Sequence, residues 1–436
     1  MSFLSVTVFS EKKLCSSLRG DDGRRSMNVL VTGSAGFAGR NIVENLKNFR
    51  DGKNRTRPGL KIEEIYEYDR DGTPEQLDEY CSKAGFVINL AGVNRPKDPA
   101  EFKAGNFGFA STLLNCLKSH NNTCPVMLSS SIQATLAGRF GTSEYGLSKR
   151  DGEELFFNYA AETGATVYVY RYPNLVGKFV KANYNSAVGT FCHNIAHDLP
   201  ITVNDPSVEL EVLFIDDLMD ELWDAMEGKA HHCEYPKTGE VVDGMEYDGL
   251  TPQPKADGRY CYAPVTHKAT LGEIVDLLHK FHDEGTYVPD LVPGSFEKKL
   301  YSMYISYLPR EKTISDLKMN VDDRGSFTEL IHTRTAGQVS VNITKPGITK
   351  GMHWHNAKLE RFIVVSGKAR IRERSLQTGE IEEYIVDGDH IQSVVQKPGF
   401  THEISNIGDT DLVTVMWANE VFDPSHPDTF FLPIDE

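Results

Sequence analysis

Hydrophobic and polar residues follow one pattern over residues 27–308 and a different one after them. In the first region, "MNVLVTG" is a short apolar run that ends in glycine, and "FAGRNIVENLKNF" repeats its apolar residues at the period of a helix. The apolar runs "FVINLAG", "VMLSSS" and "TVYVYRYP" follow, separated by segments of helical period. Alternating strands and helices predict an α/β fold of the Rossmann type, a doubly wound parallel sheet with helices on both faces.

The pattern changes near Pro309. From there "QVSVNITKPG", "RFIVVSGKARIRER" and "DLVTVMWANE" read as strands joined by turns, with almost no helix, which predicts an all-β barrel or sandwich. We therefore expect a disordered extension at residues 1–26, an α/β domain at 27–308 and an all-β domain at 309–436. Two domains also suit a chain of 436 residues, since a single core of that size is unusual.

Composition narrows the class of protein. With 40% hydrophobic and 25% charged residues, and no apolar run near the length of about 18 residues that spans a bilayer, we expect a folded protein that does not cross a membrane. A net charge of −16 argues against nucleic acid, because binding a phosphate backbone needs a positive face. The seven cysteines, without a CxxC pair, suit reduced thiols and predict a cytoplasmic protein.

A glycine-rich turn lies between the first predicted strand and helix. Gly33, Gly36 and Gly39 have the spacing GxxGxxG, which lets a backbone turn tightly and approach a pyrophosphate at the helix amino terminus. The placement after a strand favours a dinucleotide site, and a purely structural turn is the alternative.

The two residues at the end of the second predicted strand help to distinguish NAD from NADP as the cofactor. Asp69 there would bind the ribose hydroxyl of NAD, whereas the adjacent Arg70 would accommodate the 2′-phosphate of NADP. Arg40, beside the last glycine of the turn, adds positive charge and favours NADPH.

The segment "SEYGLSK" places Tyr145 and Lys149 one helical turn apart. A nearby ammonium lowers the pKa of a phenol, so this tyrosine is a candidate general acid, although YxxxK also occurs in helices without any role. Upstream, "LSSSIQA" ends a strand, and Ser131 is placed to hydrogen-bond a substrate carbonyl oxygen as negative charge develops on it.

These motifs together, with "LAGVNRP", "RYPNLVG" and "FIDDL", resemble the extended short-chain dehydrogenase/reductase family over about residues 27–305. The resemblance implies a catalytic set of Ser131, Tyr145 and Lys149. It implies cofactor contacts from Gly33, Gly36, Phe37, Gly39, Arg40, Asp69, Arg70, Leu90, Ala91, Gly92, Asn106 and Lys149, and substrate contacts from Asn94, Arg95, Ser130 and Asn174. Ser130 is the alternative to Ser131. Dehydratases of the family carry an Asp-Glu pair where this chain has Ile132 and Gln133, which leaves redox chemistry or 4-epimerisation.

The segment "GMHWHNAKLE" places His353, His355 and Glu360 at metal-ligand spacing. An HxH pair alone is more often a surface or core feature, but "KPGFTHEISN" adds His402. The whole pattern resembles the two cupin motifs, with one departure at Pro398, where the usual spacer residue is missing. The resemblance implies a β-barrel that holds a metal through these four side chains; Zn²⁺ suits the mixed N/O set, and Fe, Mn and Ni stay open.

Over about residues 27–436 the chain, including "MNVDDRGSFTE", "KPGITKG" and "EVFDPSHPDTFFL", resembles bifunctional capsular polysaccharide enzymes that make the precursor of N-acetyl-L-fucosamine. This implies a UDP-linked 2-acetamido-2,6-dideoxy-hexos-4-ulose as substrate, C3 epimerisation in the cupin domain, and NADPH-dependent C4 reduction to UDP-N-acetyl-6-deoxy-L-talosamine. It also implies a homodimer or tetramer. Lys358 and Glu403, beside the predicted ligands, are candidates for the C3 base.

Two alternatives stay open from the sequence. One is a single-step 4-ketoreductase or epimerase of another nucleotide sugar, in which the cupin domain only binds ligand or stabilises a dimer. The other is a non-catalytic sensor of nucleotide and ligand, which an intact Ser-Tyr-Lys set disfavours because a binding module does not need one.

Overall fold

The computed structural model describes residues 25–93, 102–242, 244–283, 288–333, 335–421 and 423–436. The chain forms two compact units, Met1–Val275 and Asp276–Glu436. The predicted extension falls outside the described residues except for its last two, which begin the first strand. The predicted domain boundary at residue 309 stays a prediction.

The first unit alternates strands with helices. Its helices are α1 (Phe37–Arg50), α2 (Pro74–Lys83), α3 (Phe109–Ser119), α4 (Glu144–Thr163), α5 (Ala187–Ala196) and α6 (Ile215–Met226), and α7 (Leu271–Asp283) continues into the second unit. Its strands are β1 (Arg25–Thr32), β2 (Leu60–Tyr68), β3 (Phe86–Asn89), β4 (Val126–Ser131), β5 (Val167–Tyr172), β6 (Asn174–Val176), β7 (Glu209–Phe214), β8 (His232–Glu234), β9 (Val241–Val242), β10 (Met245–Glu246), β11 (Gln253–Pro254), β12 (Tyr260–Cys261) and β13 (His267–Thr270).

The main sheet of this unit has the strand order β11-β8-β12-β5-β4-β3-β1-β2. Strands β1 to β5 pair in parallel, and the order reverses between β1 and β3. In open α/β sheets, ligands bind in the crevice at the carboxyl ends of the strands beside such a reversal. The predicted doubly wound parallel sheet is confirmed, and its topology places a binding crevice directly after the glycine-rich end of β1.

The central strands β3, β4 and β5 are buried on both faces, which explains why they read as continuous apolar runs. On β1, Val29 and Val31 face a cluster that contains α1 and α6, while Leu30 faces a cluster that contains α2, α3 and α4. The period of two along a strand therefore sends alternate residues into two separate cores. Among the described residues, none of the helices combines the length and the hydropathy that a bilayer crossing requires.

A buried ion pair supports the carboxyl ends of β4 and β5. The Arg171 guanidinium donates to both carboxylate oxygens of Glu153, at 2.9 and 2.6 Å, and also to the hydroxyl of Tyr260. The side chains of Arg171 and Glu153 are only 4% and 0% exposed. A buried charge is tolerated because its partner and hydrogen bonds replace the lost water.

Replacing Arg171 with Met is expected to lower the free energy of unfolding of the first unit by about 3–5 kcal/mol, because Glu153 would keep a buried charge without its partner. Urea titration followed by helical circular dichroism measures this. Arg259→Met is the matched control, since Arg259 pairs with the neighbouring Glu154 but is 44% exposed, and exposed pairs contribute about 0–1 kcal/mol. Equal, small losses in both variants would contradict the role given to the buried pair.

The second unit consists mostly of antiparallel strands. Its helix α8 (Phe296–Ile305) precedes β14 (Met319–Asp322), β15 (Gly325–His332), β16 (Gln338–Thr344), β17 (Thr349–Trp354), β18 (Glu360–Ser366), β19 (Lys368–Ser375), β20 (Ile381–Asp387), β21 (Ser393–Gln396), β22 (Phe400–Asn406), β23 (Leu412–Ala418) and β24 (Phe430–Phe431). The strands form two sheets, β14-β15-β16-β23-β18-β21 and β20-β19-β22-β17-β24. The predicted all-β fold of this region is confirmed.

Alternate residues of these strands point between the two sheets. Phe362 and Val364 on β18 pack in one buried cluster with Ile371 on β19 and Ile404 on β22. This inward face carries the core, and polar side chains replace apolar ones where the same face reaches His402.

Candidate active sites

A cavity of about 690 Å³ lies at the carboxyl ends of β1, β2 and β3. Nine of the predicted cofactor residues line it, namely Gly33, Gly36, Phe37, Gly39, Asp69, Arg70, Leu90, Ala91 and Gly92. The rings of Tyr68 and Phe109, stacked with centroids 5.9 Å apart, line it too and were not predicted. The sequence gives only a weak indication that they line a cavity, because an aromatic residue at the end of a strand or the start of a helix usually packs in the core.

The glycine-rich turn fits a dinucleotide. Gly33 has φ +70°, and a Cβ there would lie 2.9 Å from the backbone nitrogen of Ala91, so a side chain would intrude on the turn. A Cβ on Gly39 would lie 2.2 Å from the carbonyl oxygen of Gly33, so only glycine lets α1 begin this close to β1. Because Gly36 at the helix start has no side chain to cap α1, the first backbone N–H groups are available for a phosphate.

The acidic residue at the end of β2 is held by the turn itself. Asp69 accepts hydrogen bonds from the backbone nitrogens of Ala35 and Arg70, both at 2.8 Å. Arg40, predicted as a cofactor contact, donates from Nε to the carbonyl of Ala35 at 2.9 Å. Asp69 therefore stabilises the loop, while Arg70 lines the cavity.

The predicted catalytic residues lie together at the carboxyl end of β4. Lys149 is buried, donates to the carbonyl of Ser129 at 3.1 Å, and places its Nζ 5.8 Å from the ring centroid of Tyr145. Burial raises the pKa of Tyr145 to about 12, although a hydrogen bond with Ser131 opposes this. Burial also lowers the pKa of Lys149 to about 8, although the charge of Glu153 opposes this.

The sequence predicts a lowered pKa for Tyr145, whereas in the structure burial raises it. Burial outweighs the other influences on Tyr145, and the sequence cannot show burial. The phenol stays protonated across the physiological range, which is the state that a proton donor needs.

Asn106 connects this group to the dinucleotide cavity. It lies in a π-helical segment, Lys103–Gly108, and its side-chain amide exchanges hydrogen bonds with both backbone groups of Val93 and donates to Ser148. A Cβ on Gly92 would lie 2.7 Å from Asn106 Oδ1 and 3.1 Å from Lys149 Nζ. Lys149 and the cavity wall are thus in contact at Gly92.

The four predicted substrate contacts differ in where they lie and in what they contact. Asn94 and Arg95 lie outside the described residues. The hydroxyl of Ser130 donates to buried Glu153 at 2.5 Å, so Ser130 faces the interior and is not placed as a substrate contact or as an alternative to Ser131. Asn174 is exposed on β6 and donates to the carbonyl of Glu211 at 2.9 Å.

The four predicted metal ligands converge in the second unit. The Nε2 atoms of His353 and His402 are 3.2 Å apart, and the Nε2 atoms of His355 and His402 lie 3.3 and 3.5 Å from Oε2 of Glu360. The ligand atoms of all four residues lie within 4.8 Å of one another. Strand β17 has a bulge between Gly351 and His353, and it brings His353 beside His402 of β22.

This donor set fits a divalent cation. Among the described residues, the buried atoms His355 Nε2 and Glu360 Oε2 have no hydrogen-bond partner. Burial opposes ionisation of Glu360, but its histidine neighbours and Lys358 outweigh burial and hold the pKa of this carboxyl well below its usual range. Three imidazole nitrogens and one carboxylate oxygen suit zinc, and also iron or manganese.

The segment 423–436, which we call the carboxy-terminal strap, holds the ligand loop in place. The carbonyl of Asp428 accepts a hydrogen bond from Nδ1 of His355, which leaves Nε2 for the cation. Its carboxylate accepts hydrogen bonds from the backbone nitrogens of Asn356, Ala357 and Lys358. Although partial burial opposes them, these donors lower the pKa of Asp428 to about 2. No motif in the sequence singles out Asp428.

The two predicted candidates for the C3 base differ in position. Lys358 is buried and lines the cavity that contains the cation ligands, and its Nζ lies 2.9 Å from Oε1 of Glu360. Glu403 follows His402 on β22 and therefore points to the opposite face of the strand, where Arg372 holds its carboxylate at 2.6 Å. Glu403 is not placed for chemistry at the cation site.

Comparison with known proteins finds a family match for each of the two regions of the chain. Residues 29–235 match the NAD dependent epimerase/dehydratase family, and residues 320–430 match the polysaccharide biosynthesis C-terminal domain. The chain is 36% identical over 411 residues to the "UDP-2-acetamido-2,6-beta-L-arabino-hexul-4-ose reductase" of Pseudomonas aeruginosa, covering 94% of this chain and 100% of that protein.

Two solved structures are similar to this chain over 93% of its length. The capsular polysaccharide assembling protein CapF from Staphylococcus aureus is 44% identical, with a TM-score of 0.78 over 93% of this chain and 100% of the other. A crystal structure of CapF with the inhibitor 3-isopropenyl-tropolone gives 42% identity and a TM-score of 0.72 over the same shares. The resemblance inferred from the motifs is confirmed: this chain belongs to the family of bifunctional capsular polysaccharide enzymes, the nucleotide-sugar epimerase/reductases of the fucosamine pathway.

Proposed function

We propose that this enzyme inverts C3 of a UDP-linked 2-acetamido-2,6-dideoxy-hexos-4-ulose in its cupin domain and reduces C4 in its dehydrogenase domain, giving UDP-N-acetyl-6-deoxy-L-talosamine. The observation that supports the proposal is the presence of two candidate sites in one chain. Ser131, Tyr145 and Lys149 form one group that reaches the wall of the dinucleotide cavity at Gly92. A largely buried cluster of three histidines and a carboxylate lies in the other unit. The Pseudomonas relative is named as a reductase of such a 4-keto sugar.

The chemistry fixes the order of the two steps. A 4-keto sugar has an acidic proton at C3 because the carbanion is stabilised as an enediolate, and a metal held by the cluster would stabilise it further. Once C4 is reduced this acidity is gone and C3 is fixed. Epimerisation therefore precedes reduction.

For the reduction, the nicotinamide supplies the hydride to C4 when it is bound. Tyr145 donates the proton to the C4 oxygen, and Ser131 donates a hydrogen bond to the same oxygen as its negative charge grows. Lys149 lies against Gly92 on the cavity wall. There its positive charge stabilises the negative charge that grows on the C4 oxygen during reduction. We propose NADPH as the cofactor, since Asp69 is occupied by the loop backbone and Arg70 lines the cavity.

The catalytic efficiency of reduction is expected to fall as the pH rises through about 8, where Lys149 loses its proton. Only the charged ammonium favours the reaction, so kcat/KM for NADPH oxidation should fall about tenfold per unit of pH above that value. Steady-state kinetics across neutral and alkaline pH measure this. C3 exchange in the same samples is the control and should not share this decline; a flat alkaline profile for reduction would remove Lys149 from the mechanism.

The proposal as a whole is tested in D₂O. The purified protein is incubated with the UDP-linked 4-keto-6-deoxy amino sugar, with and without NADPH, and C3 and C4 are followed by NMR. Deuterium at C3 without cofactor, and a reduced C4 only with NADPH, are the expected results. Reduction without any C3 exchange would leave a single-step ketoreductase with a structural cupin domain.

We also propose that the enzyme acts in the cytoplasm as a homodimer or tetramer. The reduced cysteines expected from the sequence support the location, and sedimentation measures the oligomeric state. A monomer at working concentrations would overturn the proposed oligomeric state.

A further inference from the structure

The cation cluster opens into a cavity of about 610 Å³ within the second unit, a volume typical of small-molecule sites. His353, Lys358 and Glu360 line one part of its wall, and Glu329 and His332 on β15 line another. The pair on β15 belongs to neither the cation cluster nor the predicted set of functional residues.

A bulge in β15 creates this pair. In a regular strand, residues three positions apart point to opposite faces, so Glu329 and His332 could not meet. Strand β15 shifts register between Glu329 and Ile331, which adds one residue and returns His332 to the face of Glu329. Nδ1 of His332 donates a hydrogen bond to the Glu329 carboxylate, and the His332 side chain is only 13% exposed.

We propose that His332 is the base that removes the C3 proton, with Glu329 as its positioning residue; this inference rests on the proposed function. A histidine whose Nδ1 donates to a carboxylate carries its lone pair on Nε2, the tautomer that a general base needs. The other ionisable groups on the cavity wall are less suited. Lys358 pairs with Glu360, while Asp316 and Lys318 are exposed.

In the proposed step, Nε2 of His332 takes the proton from C3, and the electrons of the C3–H bond form the double bond of an enediolate between C3 and C4. C3 then receives a proton from water on the opposite face, and the C4 ketone reforms. His332 releases its proton to solvent. No proton or electron is gained or lost overall, and C3 exchanges its hydrogen with solvent on every turnover.

His332→Gln is the main test. It keeps a polar side chain of similar reach but cannot accept the proton, so C3 exchange in D₂O without NADPH should fall about 10²–10⁴-fold. Metal content per chain and the melting temperature should stay at the wild-type values. His390→Gln is the matched control, because His390 is exposed and lies outside the cavity wall.

Glu329→Gln tests the positioning residue. It should lower the maximal rate of C3 exchange while leaving the substrate concentration at half-maximal rate unchanged, because Glu329 acts through His332 rather than on the substrate. A higher half-maximal concentration at an unchanged maximal rate would contradict this role. His332→Ala adds a test by chemical rescue, since added imidazole should restore part of the exchange.

The outcomes separate the two proposals. If the wild-type protein shows no C3 exchange, the proposed epimerisation itself fails. If the wild type exchanges and His332→Gln exchanges at the same rate with its metal bound, only the inference about His332 is overturned. If exchange is lost but imidazole does not restore it in His332→Ala, His332 is structural and the inference is again overturned.

Discussion

Tyr145→Phe is expected to lower NADPH oxidation by about 10²–10⁴-fold while C3 exchange continues at the wild-type rate. The change removes one hydroxyl, which is the proposed proton donor to the C4 oxygen, and leaves the ring that packs near Lys149. Burial holds the Tyr145 phenol protonated, so the substitution removes a hydroxyl that carries its proton at the working pH. Absorbance of NADPH and NMR of C3 in the same preparation give both rates.

The control for this variant is Tyr80→Phe. Tyr80 lies on α2 in the same unit and stacks on Tyr66, with ring centroids 4.8 Å apart, and neither ring lines the dinucleotide cavity. Both activities should survive there. Loss of both activities in Tyr145→Phe, in a protein that remains folded, would contradict two separable sites.

His353→Ala is expected to reduce bound metal and C3 exchange together. Removing an outer partner of a metal ligand costs about 10–100-fold in affinity or activity, and removing a ligand should cost more. Asp428→Ala provides a milder comparison within the chain, because it removes the carboxylate that holds the ligand loop but keeps the backbone carbonyl that accepts from His355. Metal content by elemental analysis and deuterium at C3 by NMR are the measurements.

The order of these variants by loss of bound metal and of C3 exchange tests the role of the cation. We expect His353→Ala to lose most, Asp428→Ala to be intermediate, and exposed His390→Gln to match the wild type. If metal-free protein still exchanged C3 at the normal rate, the cation would be structural and the catalytic part of the proposal would be wrong.

Much of the molecule follows from local sequence rules. The apolar run that ends at Gly33 predicted β1 and the turn after it, because glycine is required where φ is positive and where β1, α1 and Ala91 crowd together. The metal ligands followed from motif spacing, and the structure brings all four together.

Other parts depend on tertiary packing that the sequence does not display. The run Ser129, Ser130 and Ser131 lies on a strand buried on both faces, so polarity could not show that Ser130 points inward to Glu153. A π-helical segment positions Asn106, and a bulge in β15 pairs Glu329 with His332. Each irregularity adds one residue to a regular element, so the side chains after it point to a different face.

The carboxy-terminal strap has a consequence for synthesis. His355 and Asp428 are 73 positions apart, and Phe430 and Phe431 complete the sheet beside the ligand strand β17. A ribosome therefore synthesises His355 well before the segment that orients it, and the first unit can fold in the meantime. We therefore expect a released chain that is truncated just before Asp428 to hold its cation weakly and exchange it readily, while the first unit is folded.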